Sequence, residues 1–102
     1  MVKHEVTLVR IYLRESEHIL GKIVDYLHDK AKVRGMTVLR AVEGFSENGK
    51  LRTSFLVDLS LDLPLIIEFY EEPNKAEVII TELLNEFHLP HIVSSSMWVC
   101  SL

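Results

Sequence analysis

The chain has a single cysteine, Cys100, which excludes an intrachain disulfide framework and a zinc site built from cysteines alone. It also lacks a long apolar run. The longest stretches reach four or five residues, such as LPLII at 63–67, whereas a membrane-spanning helix needs about 20. The opening segment MVKHEVTLVR has no continuous apolar stretch of the kind a secretory signal requires. A soluble cytoplasmic protein, not embedded in a membrane, is expected. Positive charge is short as well: 11 Lys and Arg stand against 15 Asp and Glu, for a net charge of −4. That balance argues against general nucleic-acid binding, which depends on a strongly basic surface.

What is present is a globular composition, 48% hydrophobic and 25% charged, over a length that suits one domain spanning 1–102. A chain of this size has little core to spare, so oligomerisation would help it. Its charge is unevenly spread. Residues 30–52 carry Lys30, Lys32, Arg34, Arg40, Lys50 and Arg52 against Glu43 and Glu47. Residues 58–86 reverse the balance, with Asp58, Asp62, Glu68, Glu71, Glu72, Glu77, Glu82 and Glu86 facing only Lys75. Two readings stay open: two solvated faces of opposite sign, or an anion-attracting region around VLRAVEGFSENGKLRTS at 38–54.

EVTLVRIYL at 5–13 alternates and is β-branched, which predicts a strand. Ser16 is a good N-cap for the next segment, where Leu20, Ile23, Val24, Leu27 and Ala31 form the stripe of an amphipathic helix. Gly35 stands where a left-handed C-terminal cap belongs. MTVLRAVEGF at 36–45 and LPLIIEFYE at 63–71 predict two more strands. Pro73 suits a first helical turn, and Ala76, Ile79, Ile80, Leu83, Leu84 and Phe87 supply that helix's buried stripe. Pro90 helps stop it, and HIVSSSMWVCSL at 91–102 gives a last strand. The order βαββαβ predicts a ferredoxin-like α+β sandwich, a four-stranded antiparallel sheet with two helices on one face.

Alternation then sorts the residues of the sheet. With Thr7, Val9, Ile11 and Leu13 toward the helices, Leu8, Arg10 and Tyr12 point away. The same parity sets Val38, Arg40 and Val42, and Ile66, Glu68 and Tyr70, on the open face. So much apolar surface predicts packing against other subunits, with Arg10 and Arg40 pairing with Glu68 within or across chains; the alternative is an exposed, salt-bridged sheet face.

Thr37-Val38-Leu39-Arg40 and Glu43-Gly44-Phe45, then Asp62-Leu63-Pro64 with Ile67-Glu68, resemble the layout of the uncharacterised PII-like family, related to PII nitrogen-regulatory signalling proteins. Arg10-Ile11-Tyr12-Leu13, Glu15-Ser16 and Gly21-Lys22 fit the same pattern, so the resemblance covers nearly the whole chain. It implies a homotrimer whose sheets face one another. It also implies a T-loop-like segment at about 44–62, and sensing of ATP, ADP or AMP in clefts between subunits. The regulated target would be a transporter or an enzyme; that this chain is not itself an enzyme is expected from its residues, which assemble no catalytic constellation. The sequence departs from PII proteins at Ser46, where a second glycine is usual, and in the glycine-free run Glu71-Glu72-Pro73-Asn74-Lys75. Its last strand has no Arg or Lys, and no tyrosine lies between Gly44 and Asp62.

An anion site needs backbone N–H groups that can approach the ligand, and flexible cations. The candidate contacts are Glu43, Gly44, Phe45, Ser46, Lys50, Arg52 and Lys75. The Asn48-Gly49 pair equally predicts a plain hairpin tip, so a trimeric interaction module with no small ligand is the alternative. His88 and His91 straddle Pro90 without a further ligand type nearby, so no metal is expected, and Ser94-Ser95-Ser96 lacks a nucleophile elbow. Cys100 reads as a small hydrophobe in a strand.

Overall fold

The computed structural model describes residues 1–44, 52–53, 63–89 and 92–102. The main sheet is built from β1 (Val2–Arg14), β2 (Met36–Arg40), β5 (Pro64–Glu71) and β6 (Ile92–Ser101), in the antiparallel order β2-β5-β1-β6. Between β2 and β5, β3 (Glu43–Gly44) pairs with β4 (Arg52–Thr53) as a separate two-stranded ladder. Two helical segments lie on one side. The first comprises α1 (Leu20–Asp25) and a wide π turn over Tyr26–Lys30; the second is α2 (Pro73–Glu86). The ferredoxin-like arrangement expected from the strand and helix order is therefore the one observed.

Alternation in the two central strands produces the core. Val9, Ile11 and Leu13 of β1 and Leu65, Ile67 and Phe69 of β5 are buried under Ile23, Tyr26 and Leu27 of the first helical segment. Ala76, Ile79 and Leu83 of α2 complete the cluster. Each large apolar side chain removed from water contributes about 1.5–3 kcal/mol. The Tyr26 hydroxyl donates to Glu82 and so ties the two helical segments together. Burial and the neighbouring carboxylate both push its pKa upward. Leu84, expected in the α2 stripe, is exposed, whereas Ile80 and Phe87 are half-buried.

Local chemistry differs from expectation at three places. The first α-helix begins at Leu20, not after Ser16. Residues 15–17 form a separate 3-10 turn, in which the Glu17 carboxylate accepts the Arg14 N–H at 2.8 Å. His18, with φ 56°, then breaks the chain's direction before α1. At the helix's other end the left-handed residue is Lys32 (φ 54°), not Gly35. There Val33 N–H reaches back to the Leu27 carbonyl at 3.1 Å. Finally, the predicted strand at 36–45 is interrupted: β2 ends at Arg40, and Glu43-Gly44 belongs to the second ladder.

The register of β2 also changes the face assignment. Val38 lies opposite Ile67 and Arg40 opposite Leu65, while Thr37 lies opposite Glu68 and Leu39 opposite Ile66. Cross-strand partners share a face, so Thr37 and Leu39, rather than Val38 and Arg40, belong to the open side. The ion pairs follow suit. Arg10 Nε lies 2.8 Å from Glu68 Oε1, as expected. Arg40 Nη2 instead lies 2.5 Å from Glu15 Oε1, an oxygen with no solvent access and no well-aligned hydrogen bond. The contact is therefore one of charge rather than of directed hydrogen bonding.

Candidate functional site

β5 runs two residues past the start of β2, because Met36 is paired with Phe69 and the chain has turned away before it could meet Tyr70 and Glu71. The overhang opens a cleft of about 320 Å³ at this corner of the sheet, lined by Leu8, residues 34–37, Glu68, Phe69 and Tyr70. Leu8 and Tyr70 are direct cross-strand partners and supply an apolar floor. Thr37 stands opposite Glu68 at the mouth. Arg10 holds the Glu68 carboxylate, and its own pKa is raised first by that hydrogen bond and next by Tyr12. The charge on Glu68 is thus balanced within the sheet.

Beneath one wall lies a second set of contacts. Glu71 is a carboxylate with only 6% of its surface exposed, because the alternation of β5 carries it to the helix side. Its Oε2 accepts the Arg34 N–H at 3.2 Å and lies 3.5 Å from Lys75 Nζ. Lys75 also donates to the Lys32 carbonyl at 3.3 Å. Glu72 meanwhile caps α2, accepting the Asn74 and Lys75 N–H groups at 3.1 Å each. The helix N-terminus, which in other proteins receives a phosphate, is here occupied by the chain's own carboxylate.

Those residues proposed from sequence that the structure describes fall into two groups. Glu43, Gly44 and Arg52 form the root of the excursion between β2 and β5, with Gly44 paired to Arg52 and Glu43 to Thr53. A side chain at Gly44 would meet Pro64 Cγ at 3.4 Å, and the adjoining Ala41 N–H donates to the Pro64 carbonyl at 2.9 Å. Lys75, in the first turn of α2, sits instead beside the start of β2, where it meets Glu71 and the Lys32 carbonyl. Phe45, Ser46 and Lys50, with most of the 44–62 segment, lie outside the described residues. Sequence reasoning missed Arg34, Leu8 and Tyr70 as cleft residues. The available signal was adjacency: Arg34 directly precedes the Gly35-Met36-Thr37 run that leads into the resemblance.

Among the described residues, no group of three or more His, Cys, Asp or Glu could hold a metal ion. No helix among them is long and apolar enough to cross a membrane. Cys100 is exposed on β6 rather than buried, and Lys3 Nζ stacks 5.3 Å above the ring of the exposed Trp98 nearby.

Comparison with known proteins places this arrangement. The chain is similar to a UPF0166 protein of Aquifex aeolicus (strain VF5), 34% identical over 80 residues that cover 74% of this chain and 76% of the relative. Its fold is similar to CPII, a nitrogen regulatory PII-like protein from Thiomonas intermedia K12 solved with ADP, AMP and bicarbonate. The TM-score is 0.74 at 16% identity, over 96% of this chain and 91% of that one. A putative PII-like signaling protein from Thermus thermophilus gives a TM-score of 0.67 at 20% identity, over 97% and 92%. With residues 6–98 matching the family described as DUF190, uncharacterized ACR, COG1993, the chain belongs to that family and has a PII-like fold.

Proposed function

We propose that the chain is a cytoplasmic, homotrimeric, non-enzymatic regulatory protein of PII-like type, which binds an adenine nucleotide at clefts that neighbouring subunits complete. The observation that carries this reading is the cleft at the β2–β5 corner. It joins an apolar floor (Leu8, Tyr70) to polar groups and a backbone turn at residues 34–37, on a fold whose relative CPII was solved with ADP and AMP. Glu43, Gly44, Phe45, Ser46, Lys50, Arg52 and Lys75 remain the proposed contacts, with those at the loop root brought to the ligand by assembly. Ligand binding would be reported through residues 46–61, changing the surface offered to a transporter or enzyme target.

One observation favours the ligand-free alternative, a trimeric docking module: Glu72 already fills the α2 N-terminus where a phosphate would otherwise be received. Calorimetry with ATP, ADP and AMP, with and without magnesium, separates the two. The regulatory reading expects saturable binding, a trimer mass by light scattering, and ligand-dependent hydrogen-exchange protection across 43–60. Flat titrations at millimolar nucleotide, with equal protection in every sample, would establish the docking module instead.

A further inference from the structure

Lys75 was the cation that its place at the start of α2 recommended for an anionic ligand, yet its ammonium is already committed. It lies 3.5 Å from Glu71 Oε2 and 3.3 Å from the Lys32 carbonyl. Withdrawing it would leave a carboxylate that is only 6% exposed without its cation, and a buried unpaired charge is strongly unfavourable. Arg34 is placed differently. The residue is exposed and is one of those lining the cleft, and among the described residues no ion pair engages its guanidinium. Its backbone, in contrast, is fixed, because its N–H donates to Glu71 at 3.2 Å.

The neighbouring charges leave this position open to an anion. Glu68, the carboxylate of the cleft, is neutralised by Arg10 at 2.8 Å. The turn leading to Arg34 is set by Lys32 in the left-handed region (φ 54°), and the Lys75 ammonium clamps that residue's carbonyl. A guanidinium presents a planar fork that matches phosphate oxygens two at a time. We propose that Arg34 is the cation that contacts the anionic group of the cleft's ligand, and that the buried Glu71–Lys75 pair positions it. The identity of the ligand rests on the nucleotide reading above; the positioning does not.

The experiment compares wild type with Arg34→Ala, Arg34→Lys, Glu71→Ala and Glu71→Gln. Loss of a charge-assisted contact should weaken ADP by about tenfold or more in Arg34→Ala, with partial recovery in Arg34→Lys. Adenosine, which lacks the phosphates, should bind both forms equally. Glu71→Ala should lose ADP affinity and, without ligand, the hydrogen-exchange protection of the Arg34 amide, while the Val9 and Ile11 amides stay protected. Glu71→Gln, which keeps an acceptor for that amide but loses the charge that pairs with Lys75, should show a smaller but measurable loss of both and serves if the alanine variant does not fold. ADP binding equally to Arg34→Ala and wild type would overturn the ligand contact while leaving the nucleotide reading intact. Unchanged Arg34 protection in both Glu71 variants would overturn the positioning. If wild type takes no ADP, the nucleotide reading fails and inorganic pyrophosphate becomes the probe. A shift of the Arg34 Nε–H resonance would then support the contact, and its absence would refute it.

Discussion

On the covered side of the sheet, Ile11 and Ile67 face each other across β1 and β5 with no accessible surface. One residue along, on the open side, Tyr12 faces Ile66 and both are only half-buried. The next pair on that side, Arg10 and Glu68, is ionic. The covered face has everything it needs within the chain: two helices, a continuous apolar cluster, and a Tyr26–Glu82 bond joining the helices. The open face keeps Leu39, Tyr70, Val93 and Met97 exposed and balances its charges laterally. One face is finished by folding, and the other has the composition of a surface that a further subunit would finish.

The contrast is tested most severely by two neighbours of the same type. Ile67→Ala should cost about 2–5 kcal/mol, because a fully buried branched side chain leaves a cavity. Ile66→Ala should cost under about 1 kcal/mol within the subunit. In urea titrations the Ile67 loss should be the same at any protein concentration. The Ile66 loss should change with dilution if the open face assembles as proposed. Equal losses at both positions, at every concentration, would erase the distinction between the faces.

These faces were legible in β5 and in Val9–Leu13 of β1 because both strands are central and alternate there, whereas Val6 is buried on the parity of the open face. The same rule failed in β2. Its phase is set by the turn before it, where Lys32 rather than Gly35 takes the left-handed conformation, and a shift of one residue turns a whole strand over. A similar limit applied to the corner cleft. Glu71 and Glu72 look alike in sequence as acids before a helix, yet one is buried beneath the cleft and the other caps α2. The parity of Leu65, Ile67 and Phe69 extends to Glu71 and was the signal for its burial. Arg34 carries no periodic signal, because it lies in a turn.

The covered face also makes a pH prediction. Tyr26→Phe should remove about 1 kcal/mol, because the bond is part-buried and its acceptor Glu82 is exposed to solvent, without changing the protein's mass in solution. The Tyr26 pKa is raised in the folded state, so its contribution is fully present below the ordinary tyrosine value of about 10. Above that value the unfolded chain releases the proton first, and stability falls as pH rises. Between about pH 9 and about pH 11, wild type should therefore lose stability more steeply than Tyr26→Phe. Parallel slopes in urea midpoints would show that the hydroxyl is not held as described.

The smallest expected effect gives the finest test of the face assignment. Arg40 is the residue that simple alternation sends to the open side and that the register sends to the helix side, where it meets Glu15. Its side chain is 65% exposed, so Arg40→Ala should cost no more than about 1 kcal/mol, as ion pairs open to solvent usually do. Leu39, its neighbour, lies opposite Ile66 on the open side, and Leu39→Glu would set an unpaired charge in the proposed subunit contact. Light scattering should show Arg40→Ala with the mass of wild type and Leu39→Glu with a reduced one. The reverse pattern would mean that β2 is paired one residue out of the register seen here. The covered and open faces would then exchange their residues along the strand that carries the cleft.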